Sequence, residues 1–169
     1  MSVVTIDRDF NICADSDGFE KSPSGINCTF LKIGNTGLKC YKSEKLRDRS
    51  YANQHALSLL SVAPKVGLKT TVMINRGGED CTYYAHETEC AEVHDKARYL
   101  ELVNNDYAAG MAYRNRFEDA ASNLKTKLEG IITWFDNHGG NVGFDSDGNA
   151  MIIDCADDLF GDGSVDQDL

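Results

Sequence analysis

Asp136, Asn141 and Asp154 fall within one short stretch, Trp134–Asp154, which reads WFDNHGGNVGFDSDGNAMIID. Two carboxylates and a carboxamide at this spacing suit phosphoryl transfer. One carboxylate orients a hydroxyl nucleophile, while an Asn and a second carboxylate hold Mg²⁺ on the phosphates of a nucleotide. His138, two residues after Asp136, is placed to hydrogen-bond within the same loop. The plainer reading of the stretch is a solvated hairpin, because Asp and Gly are common in turns.

Residues of this kind need elements that hold them. The apolar runs Val142–Phe144 and Ala150–Ile153 flank the turn Asp145-Ser146-Asp147-Gly148. They predict a β-hairpin with Asn141 and Asp154 together at its base. Upstream, Phe117, Ala121, Leu124, Leu128, Ile131 and Phe135 recur at three- and four-residue steps. This spacing predicts a helix over Ala112–Phe135 whose apolar face packs on the hairpin. A shorter helix is expected over His94–Asn104. Ser43–Val62 is also helical in pattern, with Ala52, Ala56, Leu59 and Leu60 on one face and Pro64 ending it. Val3–Ile6, Ile26–Ile33, Leu38–Lys42, Lys69–Asn75 and Thr82–Ala85 have β character, with tight turns at Gly34–Gly37 and Arg76–Asp80. Asp15–Gly25 reads as a loop and Glu87–Val93 as a connector.

The chain has 169 residues, 41% hydrophobic and 26% charged, which fits one domain with its own core over residues 1–156. No apolar run reaches the length of a membrane span, and the first residues lack the pattern of a secretory signal. The six cysteines are scattered without a C-x-x-C pair, so reduced thiols in a cytoplasm are expected and zinc is not. A net charge of -10 argues against direct nucleic-acid binding and favours a basic partner. From Asp154 onward there are six Asp and no Lys or Arg, so 157–169 reads as an acidic, poorly ordered tail.

The D-x-H-x-x-N spacing of Asp136, His138 and Asn141, the following Asp154 and the order of elements resemble a protein kinase fold over roughly Gly18 to Asp154. The resemblance implies an α+β, protein kinase-like fold. Its β-rich N-lobe would span about residues 1–93. Its reduced helical C-lobe, about 94–156, would lack an activation segment, since only 15 residues follow Asp154. ATP and Mg²⁺ are the implied cofactors. Asp136 would be the catalytic Asp, Lys42 the lysine on the nucleotide phosphates, and Asn141 and Asp154 the metal ligands. Gly25 would belong to the phosphate-covering loop, and Glu89 and Ala91 to the hinge that meets adenine. The chain departs from the family in four places. Trp134-Phe135 stand where His-Arg is usual, and Asp154-Cys155-Ala156 replace D-F-G. No G-x-G-x-x-G occurs, and Asn53 and Gln54 occupy the helix positions where an acid would pair with the strand lysine.

Similar truncated kinase-like chains occur among bacterial effectors and bacteriophage proteins. The resemblance therefore implies a minimal ATP–Mg²⁺ phosphotransferase of the Ser/Thr protein kinase kind, acting on a host or cellular protein in the cytoplasm. The alternative is a pseudokinase module whose acidic surface inhibits a host protein. A third reading is a small-molecule kinase of the antibiotic-phosphorylating type, which shares the D-x-H-x-x-N spacing.

Overall fold

The computed structural model describes residues 3–6, 20–21, 28–76 and 78–160. Six strands form one sheet: β1 Val3–Ile6, β2 Glu20–Lys21, β3 Thr29–Ile33, β4 Thr36–Tyr41, β5 Val66–Arg76 and β6 Glu79–Glu89. Their order is β1-β5-β6-β4-β3-β2. β1 runs parallel to β5, and every other neighbouring pair is antiparallel. Helix α1, Glu44–Leu59, joins β4 to β5. From Glu92 onward a second layer is built from β7 Glu92–Val93, helices α2 Lys96–Asn105 and α3 Tyr107–Lys127, and the hairpin β8 Val142–Phe144 with β9 Ala150–Ile152. β7, β8 and β9 pair as a three-stranded sheet. The architecture is α+β, as expected. Most of the loop read over Asp15–Gly25, including Gly25, and residues 161–169 lie outside the described residues, while Glu20–Lys21 form a strand rather than loop.

Alternation along β4 sets the two faces of the large sheet. Leu38 and Cys40 join Leu31, Val72, Ile74, Tyr83 and Ala85 in one apolar cluster. Lys39 and Tyr41 point to the opposite face, where α1 lies. The face of α1 that meets them is not the apolar one expected. Arg47, Ser50, Asn53, Gln54 and Leu57 are buried, whereas Ala52 is exposed, and Leu59 and Leu60 are 74% and 47% exposed. Ser50, Asn53 and Gln54 win this face because each finds a partner there, as described below.

The second core gathers Leu57, Phe117, Ala121, Leu124, Leu128, Trp134, Val142, Phe144 and Ile152. Phe117 meets Phe144 edge-on, with centroids 5.2 Å apart, a geometry that adds about 1 kcal/mol to simple burial. The hairpin thus packs on α3 as the spacing predicts. Helix α3 nevertheless begins and ends before the predicted range. Asp106 caps its start by accepting from Ala109 N–H at 3.2 Å, and the chain leaves the helix at Leu128, ahead of Gly130 with φ of 80°. Ile131 and Phe135, expected in the core, are therefore 51% and 90% exposed. The connector expected over Glu87–Val93 is largely strand, the end of β6 plus β7. The acidic tail is also corrected at its start. Leu159 is 1% exposed, and its carbonyl accepts from Thr133 N–H at 2.7 Å.

Candidate functional site

The two layers meet at a cleft of about 600 Å³. Phe30, Lys39 and Tyr41 line it from the large sheet, and Asp136, His138, Asn141, Asp154 and Asp157 from the second layer. Glu89 and Ala91 lie in the chain that links the two, and both line the cleft.

The loop that carries Asp136 is seated on α3. Gly139 N–H donates to Glu118 Oε2 at 3.1 Å. A Cβ at Gly139 would come within 2.9 Å of Phe117 Cβ, so only glycine lets the loop approach the helix this closely. Within the loop, His138 Nδ1 accepts from Gly140 N–H at 3.0 Å. The ring proton of the neutral imidazole is therefore on Nε2, which faces Asp136 Oδ1 at 3.4 Å. Asn141 Nδ2 donates to both the carbonyl and Oδ2 of Asp136, each at 2.9 Å. The Asp136 carboxylate is thus oriented from two sides. The hairpin does bring its base together, since Ile153 N–H donates to the Asn141 carbonyl at 3.0 Å. Asp154 follows directly, exposed to the cleft, with Oδ1 accepting from Ala156 N–H at 3.2 Å.

Lys39, and not Lys42, faces these groups. Lys42 stands one residue past the end of β4, exposed and outside the cleft lining. Lys39 is 6% exposed. Its ammonium donates to Gln54 Oε1 at 2.7 Å and to the Ile153 carbonyl. Both acceptors are neutral, and among the described residues no carboxylate stands within ion-pair distance of Lys39. A lysine inside a strand, on the face opposite Leu38 and Cys40, was the signal in the sequence that marked it. Asp157 was also missed. Burial, followed by the charges of Asp154 and Asp136, raises its carboxyl above the usual range.

The donor chemistry fits Mg²⁺. Asp154, Asp136 and Asp157 offer carboxylate oxygens and Asn141 a carboxamide oxygen, the ligands a hard cation takes. Among the described residues no group of three His, Cys, Asp or Glu is placed to hold a metal alone. An ion here would need phosphate oxygens as well, the usual Mg²⁺ arrangement in nucleotide sites. Comparison of the sequence with protein-family profiles and with curated proteins yields no match. No helix among the described residues is long and apolar enough to cross a membrane.

Proposed function

We propose that the chain is a minimal ATP–Mg²⁺-dependent phosphotransferase of protein kinase-like fold, acting on a hydroxyl of a host or cellular protein. The observation that carries this reading is Lys39. Among the described residues its ammonium has no anionic partner; such burial is costly in water-poor surroundings and is offset by an anion that enters the cleft. Five antiparallel strands with one helix after the third, then helices, then a hairpin, also support it. So does the common cleft of Lys39, Asp136, Asn141 and Asp154.

In this reading Lys39 holds the phosphates, and Glu89 and Ala91 flank the base. Asp136 accepts the hydrogen bond of the acceptor hydroxyl, oriented by His138 and Asn141. Asn141 and Asp154 would hold Mg²⁺, which when bound neutralises phosphate charge. Positioning and charge stabilisation supply most of the rate in such transfers. The test is transfer of labelled phosphate from ATP to the chain itself and to basic acceptor proteins. Asp136→Asn should cut transfer about a hundredfold or more while ATP still binds. Asp154→Asn should weaken Mg²⁺-dependent ATP binding. Absence of both ATP binding and transfer in the parent chain would remove the reading.

A second reading, a pseudokinase module that inhibits a basic host protein, is favoured by Gln54 in place of an acid beside Lys39 and by Phe135, 90% exposed next to Asp136. ATP binding without transfer to any acceptor, combined with tight binding of a basic protein, would select it.

A further inference from the structure

Two consecutive residues of α1 reach two different parts of the cleft. Gln54 is fully buried and uses its whole carboxamide. Oε1 accepts from Lys39 at 2.7 Å, while Nε2 donates to the Pro64 carbonyl at 2.9 Å and to Thr88 Oγ1 at 2.6 Å. Asn53 Nδ2 donates to the carbonyls of Cys155 and Asp157, at 3.0 Å and 2.7 Å. These two carbonyls belong to the irregular segment that follows Asp154. Lys39 closes the circuit by donating to the carbonyl of Ile153, the residue just before Asp154. Lys39, Gln54, Asn53 and the segment 153–157 therefore form one hydrogen-bonded block.

The identity of residue 54 matters chemically. A Glu there could accept from Lys39, yet it could donate neither to the Pro64 carbonyl nor to Thr88. It would face the lone pairs of the Pro64 carbonyl and would also neutralise Lys39. Gln supplies the same support for the ammonium and leaves its charge available.

We propose that Asn53 and Gln54 are positioning residues that assemble the phosphate and metal half of the cleft before any ligand arrives, with Gln54 keeping the Lys39 charge uncompensated so that a polyphosphate anion binds without a metal ion. This deepens the phosphotransferase reading and rests on its assignment of the cleft to phosphate. Asn53 acts on the Asp154 side, and Gln54 on the Lys39 side. Their effects must separate accordingly, which a merely structural pair would not do.

The test is calorimetric titration of the full chain with sodium tripolyphosphate in EDTA, and with ATP across a Mg²⁺ series. The parent chain should bind tripolyphosphate without metal. Gln54→Glu should weaken that affinity about tenfold or more, the loss of one charge-assisted contact. Asn53→Ala should leave metal-free affinity within about threefold and shift the Mg²⁺ requirement for ATP about tenfold higher. Circular dichroism checks that each variant is folded. If Gln54→Glu does not fold, the Asn53→Ala pattern still decides, because equal loss of both affinities would overturn the proposal. Unchanged or tighter tripolyphosphate binding by Gln54→Glu would also overturn it, as would a parent chain that binds no tripolyphosphate. If the titrations follow the expected pattern and no phosphate is transferred to any acceptor, the positioning roles stand and the phosphotransferase reading falls.

Discussion

The Ser50 hydroxyl lies 3.2 Å from Nε2 of His86, deep between α1 and the large sheet. Tyr41 donates to the same hydroxyl at 2.7 Å, so Ser50 donates its own hydroxyl hydrogen in a hydrogen bond to His86 Nε2. His86 Nδ1 in turn donates to the Glu87 carbonyl at 3.1 Å. The ring is wholly buried and neutral. Burial, then the nearby Lys39 charge, pushes its pKa down to about 4. The unfolded chain therefore binds more protons than the folded one between about pH 6.5 and 4. Stability from this group is complete above pH 6.5 and is lost as pH falls through that window, by about 3 kcal/mol. Urea unfolding at pH 7 and at pH 4.5 should show the loss, and His86→Gln should reduce it. Equal pH dependence in both chains would disprove the assignment.

The residues that build this network explain what could be read in advance. Apolar periodicity located α3 and the hairpin because their contact is apolar, Phe117 against Phe144. The same rule chose the wrong face of α1. There the buried residues include Ser50, Asn53 and Gln54, whose burial depends on partners further along the chain, such as Pro64, His86, Thr88 and Cys155. Asp136, Asn141 and Asp154 were legible because one short stretch, a loop and the hairpin after it, holds them close in sequence. That Lys39 rather than Lys42 lines the cleft was not legible, because it depends on where β4 ends and on which face α1 covers. Leu159 was hidden among acids, where composition spoke louder than one buried side chain.

Helix α1 ends in a Schellman turn. Val62 N–H donates to the Leu57 carbonyl at 3.1 Å and Ser61 N–H to the Ser58 carbonyl at 3.0 Å. Ser61 sits at φ of 57°, a left-handed conformation that favours glycine. It is exposed, so no packing is lost on substitution. Ser61→Gly should stabilise by about 0.5–1 kcal/mol, a rise of about 1–4 °C in Tm. Ser61→Val should do the opposite. A lower Tm for the glycine variant would show that the serine is held there by something other than backbone geometry.

The chain beyond Asp154 is anchored by its apolar residues as well as by Asn53. Leu159 is buried in the core that contains Trp134 and Cys155, and its carbonyl receives Thr133 N–H. Leu159→Ala should cost about 2–4 kcal/mol through lost burial and the cavity left behind. Glu101→Ala, a change to an exposed acid of α2, should stay within about 0.5 kcal/mol. Chemical denaturation of the two variants decides. Near-equal stability would return this segment to the unstructured tail that its composition suggests.

The choice between the two lysines can be settled by one pair of variants. Lys39 is enclosed by Gln54 and Ile153 and faces Asp136, Asn141 and Asp154 across the cleft. Lys42 is solvated past the end of β4, where water screens its charge. An ammonium in the cleft acts on an incoming phosphate at a much lower effective dielectric than one in solvent, so its contribution is several times larger. Methionine matches the length of the lysine stem without the charge. Lys39→Met should therefore weaken binding of ATP and of tripolyphosphate tenfold or more, roughly the loss of one charge-assisted contact. Lys42→Met should change either affinity by less than about twofold. Calorimetry on both variants, with Tm followed in parallel, separates lost binding from lost folding. A larger loss for Lys42→Met would restore the lysine that the resemblance alone selects, and would mean that the ammonium of Lys39 serves the interior of the fold and not a ligand.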